Sequence, residues 1–251
     1  MRKIILIIQM VLAACFSIQG LASVEDQFTE ANAFYKKGEF SNAIKAYKAV
    51  EKQNVESAEL FYNMGNTYYR LKKVGWSILY YEKALKLDPS LEDAKLNLEK
   101  AKKKTVDKIE VLPVPGVVRV YKNFLSIMNT EGWAKTSLIL GLLFAICMAI
   151  LNFNKTSVVK KTLFFVNIIL VGACLITLVF ALSSSHYDKD EMVLVKDNVY
   201  VKSEPTSSGT DLFILHEGAK VQLKKTNNAW IQIKLSDGLV GWVKEGSFKN
   251  I

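Results

Sequence analysis

Ala31-Asn32-Ala33-Phe34-Tyr35 is answered 34 positions later by Gly65-Asn66-Thr67-Tyr68-Tyr69, and the same step pairs Tyr47 with Tyr81 and Asn63 with Asn97. A fixed step of this length, preserving side-chain size position by position, marks a helical unit that cannot bury its apolar face alone and stacks on a copy of itself. Ala31 or Gly65 lets paired helices approach, and Ala43 or Ser77 does the same on the second helix. Phe34, Tyr47, Tyr68 and Tyr81 then fill the space between them. Leu87-Asp88-Pro89 closes the second unit, because proline cannot continue a helix interior. Leu91 to Lys103 supplies a third helix, which matches only the first half of a unit and turns basic where a solvent-facing cap belongs. Residues 25–104 are therefore expected to form an all-α solenoid.

These aligned positions resemble the tetratricopeptide repeat. The resemblance covers about 80 residues and implies a module that binds peptides or proteins along a concave groove lined by the first helix of each pair. Carried onto this chain, the groove comprises Asn32, Tyr35, Lys36, Tyr62, Asn63, Asn66, Tyr69, Arg70 and Asn97. Asn32 and Asn63 match the asparagines of the clamp that some relatives close on a C-terminal carboxylate. Phe28 and Asn97 stand where that clamp needs basic residues, so this ligand is not expected. The bland reading of each groove residue is a solvated helix face.

Downstream of the repeats the composition changes. Thr136 to Asn154 is a stretch of 19 residues without charge, roughly 28 Å long as a helix, and Thr162 to Tyr187 is a second of 26. Each can cross a hydrocarbon core of about 30 Å. Transmembrane helices are thus expected at 133–153 and 162–183. The loop between them, 154–161, carries Lys155, Lys160 and Lys161 with no acid and is expected in the cytoplasm. Both flanking segments then face outward. Residues 105–132 form a linker in which Val118, Val120, Phe124, Leu125 and Met128 mix with Arg119 and Lys122, as in a juxtamembrane amphipathic helix. Trp133 fits an aromatic anchor at the membrane entry.

Export agrees with the N-terminus, where residues 1–22 read as a signal peptide: Arg2 and Lys3, the apolar Ile4 to Ala14, then Gly20-Leu21-Ala22. Leu12-Ala13-Ala14-Cys15 also matches a lipoprotein box, and an uncleaved anchor helix is a further alternative that leaves the topology unchanged.

From residue 188 to residue 251 the apolar period switches to two, through Val193 and Val195, Val199 and Val201, Val221 and Leu223, Ile231, Ile233 and Leu235, then Val240 and Trp242. Turns at Asp197-Asn198, Ser208-Gly209, Glu217-Gly218, Asn227-Asn228 and Asp237-Gly238 separate them, giving a small all-β barrel. The order Val199-Tyr200-Val201-Lys202-Ser203-Glu204-Pro205, Trp230-Ile231-Gln232-Ile233 and Gly241-Trp242-Val243 resembles the bacterial SH3-like (SH3b) domain. That resemblance implies a wall-binding or peptide-binding role, with Lys202 standing where an arginine is usual. Trp230 and Trp242 are expected in the barrel core, as aromatics of small barrels mostly are, rather than on a binding platform.

Composition narrows the function classes. The net charge of +9 is spread along the chain, and after Ser183 lysines and acids balance, so no segment has the basic face of a nucleic-acid binder. Cys15, Cys147 and Cys174 all fall in apolar runs, and His186 and His216 lack companions at metal-ligand spacing. Asp188, Asp190 and Glu191 are a juxtamembrane charge run. No catalytic, cofactor-binding or metal-binding constellation is present, and an enzyme is not expected. Asn167, Cys147 and Cys174 within the spans are expected to pack helices together.

Taken whole, the signal peptide, two and a half repeats, membrane hairpin and terminal SH3b module resemble the BatE proteins of the Bat (aerotolerance-associated) operons of Bacteroidetes, spirochaetes and relatives. Ser207-Ser208-Gly209-Thr210-Asp211-Leu212-Phe213 through Gly241-Trp242-Val243 is especially similar. The resemblance implies an inner-membrane scaffold with its repeat and SH3b domains in the periplasm. Its partners would be von Willebrand factor A-type Bat proteins in a stress-tolerance complex. Binding of peptidoglycan through the SH3b module is the alternative.

Overall fold

The computed structural model describes residues 24–109, 115–153, 156–187 and 191–251. The signal-peptide and Cys15 readings lie outside the described residues, as do Asp188, Asp190 and residues 154–155; the rest of the expected loop is shorter than the sequence reading has it, since α8 begins at Ser157 and carries Lys160 and Lys161 in its first turn.

Five helices build the first body: α1 (24–36), α2 (Phe40–Glu51), α3 (Ala58–Arg70), α4 (Val74–Leu87) and α5 (Glu92–Lys102). Ser57 caps α3, its hydroxyl accepting from the Leu60 N–H at 3.0 Å, which satisfies one of the donors a helix start leaves open. Ala31, Ala43, Tyr47, Val50, Leu60, Met64, Ile78 and Tyr81 bury together as one core. A Cβ on Gly65 would stand 2.5 Å from Tyr81 Cδ1, so only glycine lets α3 close on that ring.

The juxtamembrane helix α6 (Gly116–Leu125) leaves Val117, Val120 and Phe124 exposed. It leads into α7 (Thr130–Phe153), which pairs with α8 (Ser157–Tyr187). Thr130 meets Ser184 at 3.0 Å and Ser137 meets the Cys174 carbonyl at 3.3 Å, so the two helices run antiparallel as a hairpin. Both are long and apolar enough to cross a membrane. Leu138, Leu142, Phe164, Ile169 and Leu182 point away from the partner helix, as lipid-facing side chains do. Asn167 is buried and donates to the Leu163 carbonyl at 2.9 Å.

Seven strands complete the chain: β1 (Glu191–Leu194), β2 (Asn198–Lys202), β3 (Asp211–His216), β4 (Lys220–Asn227), β5 (Trp230–Lys234), β6 (Val240–Lys244) and β7 (Phe248–Asn250). Their order is β3-β2-β6-β5-β4-β1-β7 with every ladder antiparallel, an SH3-like sheet. The sheet is open rather than closed into a full barrel, since β3 and β7 stand at its two ends. Two points depart from the sequence reading. Strands β3 and β7 carry no alternating pattern to announce them, because β3 exposes Leu212 and Ile214 while burying Leu215. Trp230 and Trp242 are not in the core: Ile231, Ile233 and Val243 take the inward positions, and period two then turns both tryptophans outward.

The sheet docks on the helical repeats. Within β1, Val193 joins the repeat core and its neighbour Leu194 joins the sheet core. A Cβ on Gly75, at the start of α4, would meet the Leu194 carbonyl at 2.6 Å, and one on Gly218 would meet Thr105 at 2.6 Å. The Gly75 N–H donates to Glu217 at 3.0 Å. Glu82 on α4 lies between Lys220 at 3.0 Å and Lys102 at 3.1 Å, and Lys220 also reaches Glu191 at 2.8 Å. Asp107 receives the His216 backbone N–H and faces its ring Nδ1, both at 2.7 Å.

Candidate functional site

The first helices α1, α3 and α5 carry all nine groove residues, and these separate into two groups. Asparagines form the first. Asn32 Oδ1 accepts from the Tyr47 hydroxyl at 2.6 Å and from Asn63 Nδ2 at 3.2 Å. One unit later, Asn66 Oδ1 accepts from the Tyr81 hydroxyl at 2.7 Å and from Asn97 Nδ2 at 3.0 Å. Asn97 also reaches the Tyr62 hydroxyl at 3.3 Å. The same rung thus occurs twice, joining each first helix to its own second helix and to the next unit.

Burial pushes the Tyr47 and Tyr81 phenols well above the usual value, so both remain donors at any physiological pH. With their Oδ1 atoms occupied, Asn32 and Asn66 offer amide N–H groups, and Asn63 offers its carbonyl oxygen, to whatever lies in the groove. Two donors and one acceptor are thus set along α1 and α3, whereas the acceptor of the second rung is taken, since Asn97 Oδ1 accepts from Lys100 at 3.3 Å.

The second group lies at the C-terminal ends of the first helices. Tyr35 packs edge-on to Phe40, with ring centroids 5.5 Å apart, and the Arg70 guanidinium lies over the same Phe40 ring at 4.7 Å. Lys104 sits over Tyr69 at 4.2 Å. Lys36 and Arg70 are exposed. Lys36, Arg70 and Lys104 recur at the repeat interval: Lys36 and Arg70 end α1 and α3, and Lys104 lies in the turn just past the end of α5. Cations there complement the partial negative charge of a helix C-terminus, and aromatic faces hold two of the three.

Sequence reasoning assigned Tyr47 and Tyr81 to packing alone and omitted Lys104. The findable signal was the constant 15-residue gap from Asn32 to Tyr47 and from Asn66 to Tyr81, together with continuation of the 34-residue step through Lys36, Arg70 and Lys104.

A second surface lies on the sheet. Lys196, Tyr200, Lys202, Trp230 and Lys244 line a cleft of about 300 Å³. Lys202 is braced against the Gly209 carbonyl at 2.9 Å and Asp211 at 2.7 Å, while Lys244 lies over the Trp230 ring at 5.8 Å. Lys202 therefore ties the hairpin that carries it. Lys196, Lys244 and the outward Trp230 are the part of the cleft that can meet a ligand.

Comparison with known families agrees with this division. Residues 31–72 match a model described as TPR repeat, residues 58–91 one described as tetratricopeptide repeat, and residues 197–249 one described as bacterial SH3 domain. Each is an interaction module as a rule, and none of the three is an enzyme model. No curated protein is similar enough to the chain to count as a match.

Proposed function

We propose that this protein is a membrane-anchored scaffold of the bacterial cell envelope whose repeat groove holds an extended, acidic segment of a partner protein. The observation that carries the reading is the twice-repeated Asn–Tyr–Asn rung, which leaves backbone-matching donors and an acceptor along α1 and α3 beside a row of cations. The sheet docks on α4, a second helix, and so leaves the first-helix row open. Similarity to BatE proteins makes a von Willebrand factor A-type Bat membrane protein the natural partner, in a complex serving stress or aerotolerance. Anchoring in the inner membrane with both domains periplasmic is supported by Lys155 between the two apolar helices, by Lys160 and Lys161 in the first turn of α8, and by the signal-peptide character of residues 1–22.

The test is in-cell crosslinking followed by purification of the tagged full chain, comparing the native protein with the exposed double variant Lys36→Glu/Arg70→Glu. Recovery of von Willebrand factor A-type membrane proteins should fall at least about tenfold in the variant. Equal recovery from both would sink the groove as the contact.

The outward Trp230 beside Lys196 and Lys244 favours a second role, binding the carboxylate-bearing stem peptides of peptidoglycan. Full-length protein should then co-sediment with purified peptidoglycan and lose that property on Trp230→Ala. Failure of the native chain to sediment removes this reading and leaves the first intact.

A further inference from the structure

A cleft of about 350 Å³ lies on the second-helix side of the repeats, where α4 passes between the end of α2 and strand β7. Trp76, Leu79 and Tyr80 of α4 form its floor. Trp76 and Tyr80 both stack on Tyr68, with ring centroids 5.5 and 5.4 Å away, so this floor is held in place from below. Lys48 and Lys52 stand on the α2 side, Lys249 and Asn250 on the β7 side. Glu51 is the one acid among the described lining residues, and it is engaged by the Tyr80 hydroxyl at 2.9 Å and by Lys83 at 3.5 Å. Lys48 lies over the Trp76 ring at 5.3 Å, a contact that positions an ammonium without neutralising it. Lys52 and Lys249 are exposed, and neither has an acid within ion-pair distance among the described residues.

The β7 wall is also a backbone edge. The Val195 N–H donates to the Ser247 carbonyl at 3.2 Å and the Ile251 N–H to the Glu191 carbonyl at 3.1 Å. With Lys249 opposite Val193 between them, residues 247, 249 and 251 turn their peptide groups toward β1. Phe248 and Asn250 therefore turn theirs outward, to the side where the sheet has no further strand. The edge is pinned at both ends, because Phe248 is buried in the sheet core and Ile251 packs on the repeats. A short edge strand with a lysine is also how sheets are protected from pairing. Protection needs no aromatic floor beside the edge and no second row of lysines beyond it, and both are present here.

We propose that an extended acidic segment of a partner protein adds to the sheet as a further strand beside β7. Its backbone takes the outward N–H and C=O groups of Phe248 and Asn250 at the usual strand spacing of about 4.8 Å. Side chains turned to α4 meet Trp76 and Leu79, and carboxylates along the rim meet Lys48, Lys52 and Lys249. Neither module has this site alone: α2 and α4 supply the floor and one wall, and the docked sheet supplies the edge. The site is separate from the first-helix groove and does not depend on what that groove holds.

The probe is a blocked peptide that alternates glutamate with valine, added to the full chain in mild detergent. Exchange of the Phe248 and Asn250 amide hydrogens, read by nuclear magnetic resonance, reports on the edge itself. At about 1 mM peptide both should slow roughly tenfold. A peptide alternating lysine with valine, and the acidic peptide methylated on alternate backbone nitrogens, should leave them fast. Asn250→Pro removes one outward N–H and keeps the bonds of Ser247 and Ile251 to β1, so the acidic peptide should no longer slow Phe248. Lys52→Glu/Lys249→Glu should transfer the slowing to the lysine peptide and shows by that gain that the chain is folded. Lys36→Glu/Arg70→Glu, which disables the first-helix groove, should slow as the native chain does. The proposal is overturned if the acidic peptide leaves both amides fast, which makes β7 a blunted edge, or if the two peptides slow them equally. Slowing that disappears only in Lys36→Glu/Arg70→Glu overturns it too, and leaves the first-helix groove as the seat of the acidic segment.

Discussion

At the residue scale, the two tyrosines that close the groove floor do a double task. Tyr81 fills the space beside Gly65 with its ring and holds Asn66 with its hydroxyl. Tyr81→Phe keeps the ring and removes one hydrogen bond of a pair, because Asn66 Oδ1 still accepts from Asn97. The expected loss is about 1 kcal/mol of repeat stability, measured by urea unfolding of the full chain in detergent and followed by helical circular dichroism. Partner recovery should change little. Asn66→Ala removes the free amide itself and should reduce partner recovery well beyond what its stability loss explains. The rings were readable from size and spacing, since packing depends on volume. The hydroxyl bonds were not, because a buried ring already accounts for the residue and nothing in a single unit says where its polar tip goes.

At the element scale, β1 shows why the sheet was only partly legible. Val193 and Val195 have the spacing of one strand face, but Met192 and Leu194 beside them are apolar too, so the pattern by itself does not say which pair enters the sheet core; Met192 and Leu194 do, and Val193 and Val195 pack on the repeats. The strand is covered on both sides: Leu194 packs into the sheet core and Val193 into the helical core, a contact between segments separated by the entire membrane hairpin. The outward tryptophans follow from which neighbours face inward, Ile231 and Ile233 on β5 and Gly241 and Val243 on β6, with Gly241 set so close to Val201 that a Cβ there would clash. By contrast, the repeat helices and the apolar hairpin are set by local period and length, and these were legible from the start.

Gly75→Ala tests the docking. Alanine is favoured over glycine within a helix by up to about 1 kcal/mol, so a substitution that acted only on α4 would stabilise it. Here the new methyl meets the Leu194 carbonyl, which already accepts from the Gly218 N–H at 2.8 Å. The full chain should lose roughly 1–3 kcal/mol instead. Hydrogen exchange at Gly218 and along β1 should accelerate, and unchanged exchange would mean that the sheet does not sit on α4.

At the scale of the whole molecule, the two soluble bodies share one end of the hairpin and are locked by charge, and the lock has a defined pH window. Burial alone would raise Glu82, but Lys220 and Lys102 together outweigh it and hold the carboxylate below its ordinary range. Burial alone would lower Lys220, yet Glu82 and Glu191 outweigh that and raise it. A depressed carboxylate contributes stability that is complete above its unfolded value of about 4 and fades as pH falls through the lower folded value. A raised ammonium contributes stability that is complete below about 10.4 and is lost as pH climbs through the higher folded value. The interface is therefore at full strength throughout the neutral range and opens from the acid side first. Hydrogen exchange of β1 amides in the full chain, corrected for intrinsic rates, should be flat from about pH 5 to pH 8 and rise steeply below about pH 4. Glu82→Gln leaves Lys102 and Lys220 facing a neutral group, so β1 exchange should already be fast at pH 7 and the acid step should shrink. If Glu82→Gln kept the native profile, the ion cluster would be incidental, and apolar contacts such as Val193 against the repeats would be what holds the two modules together.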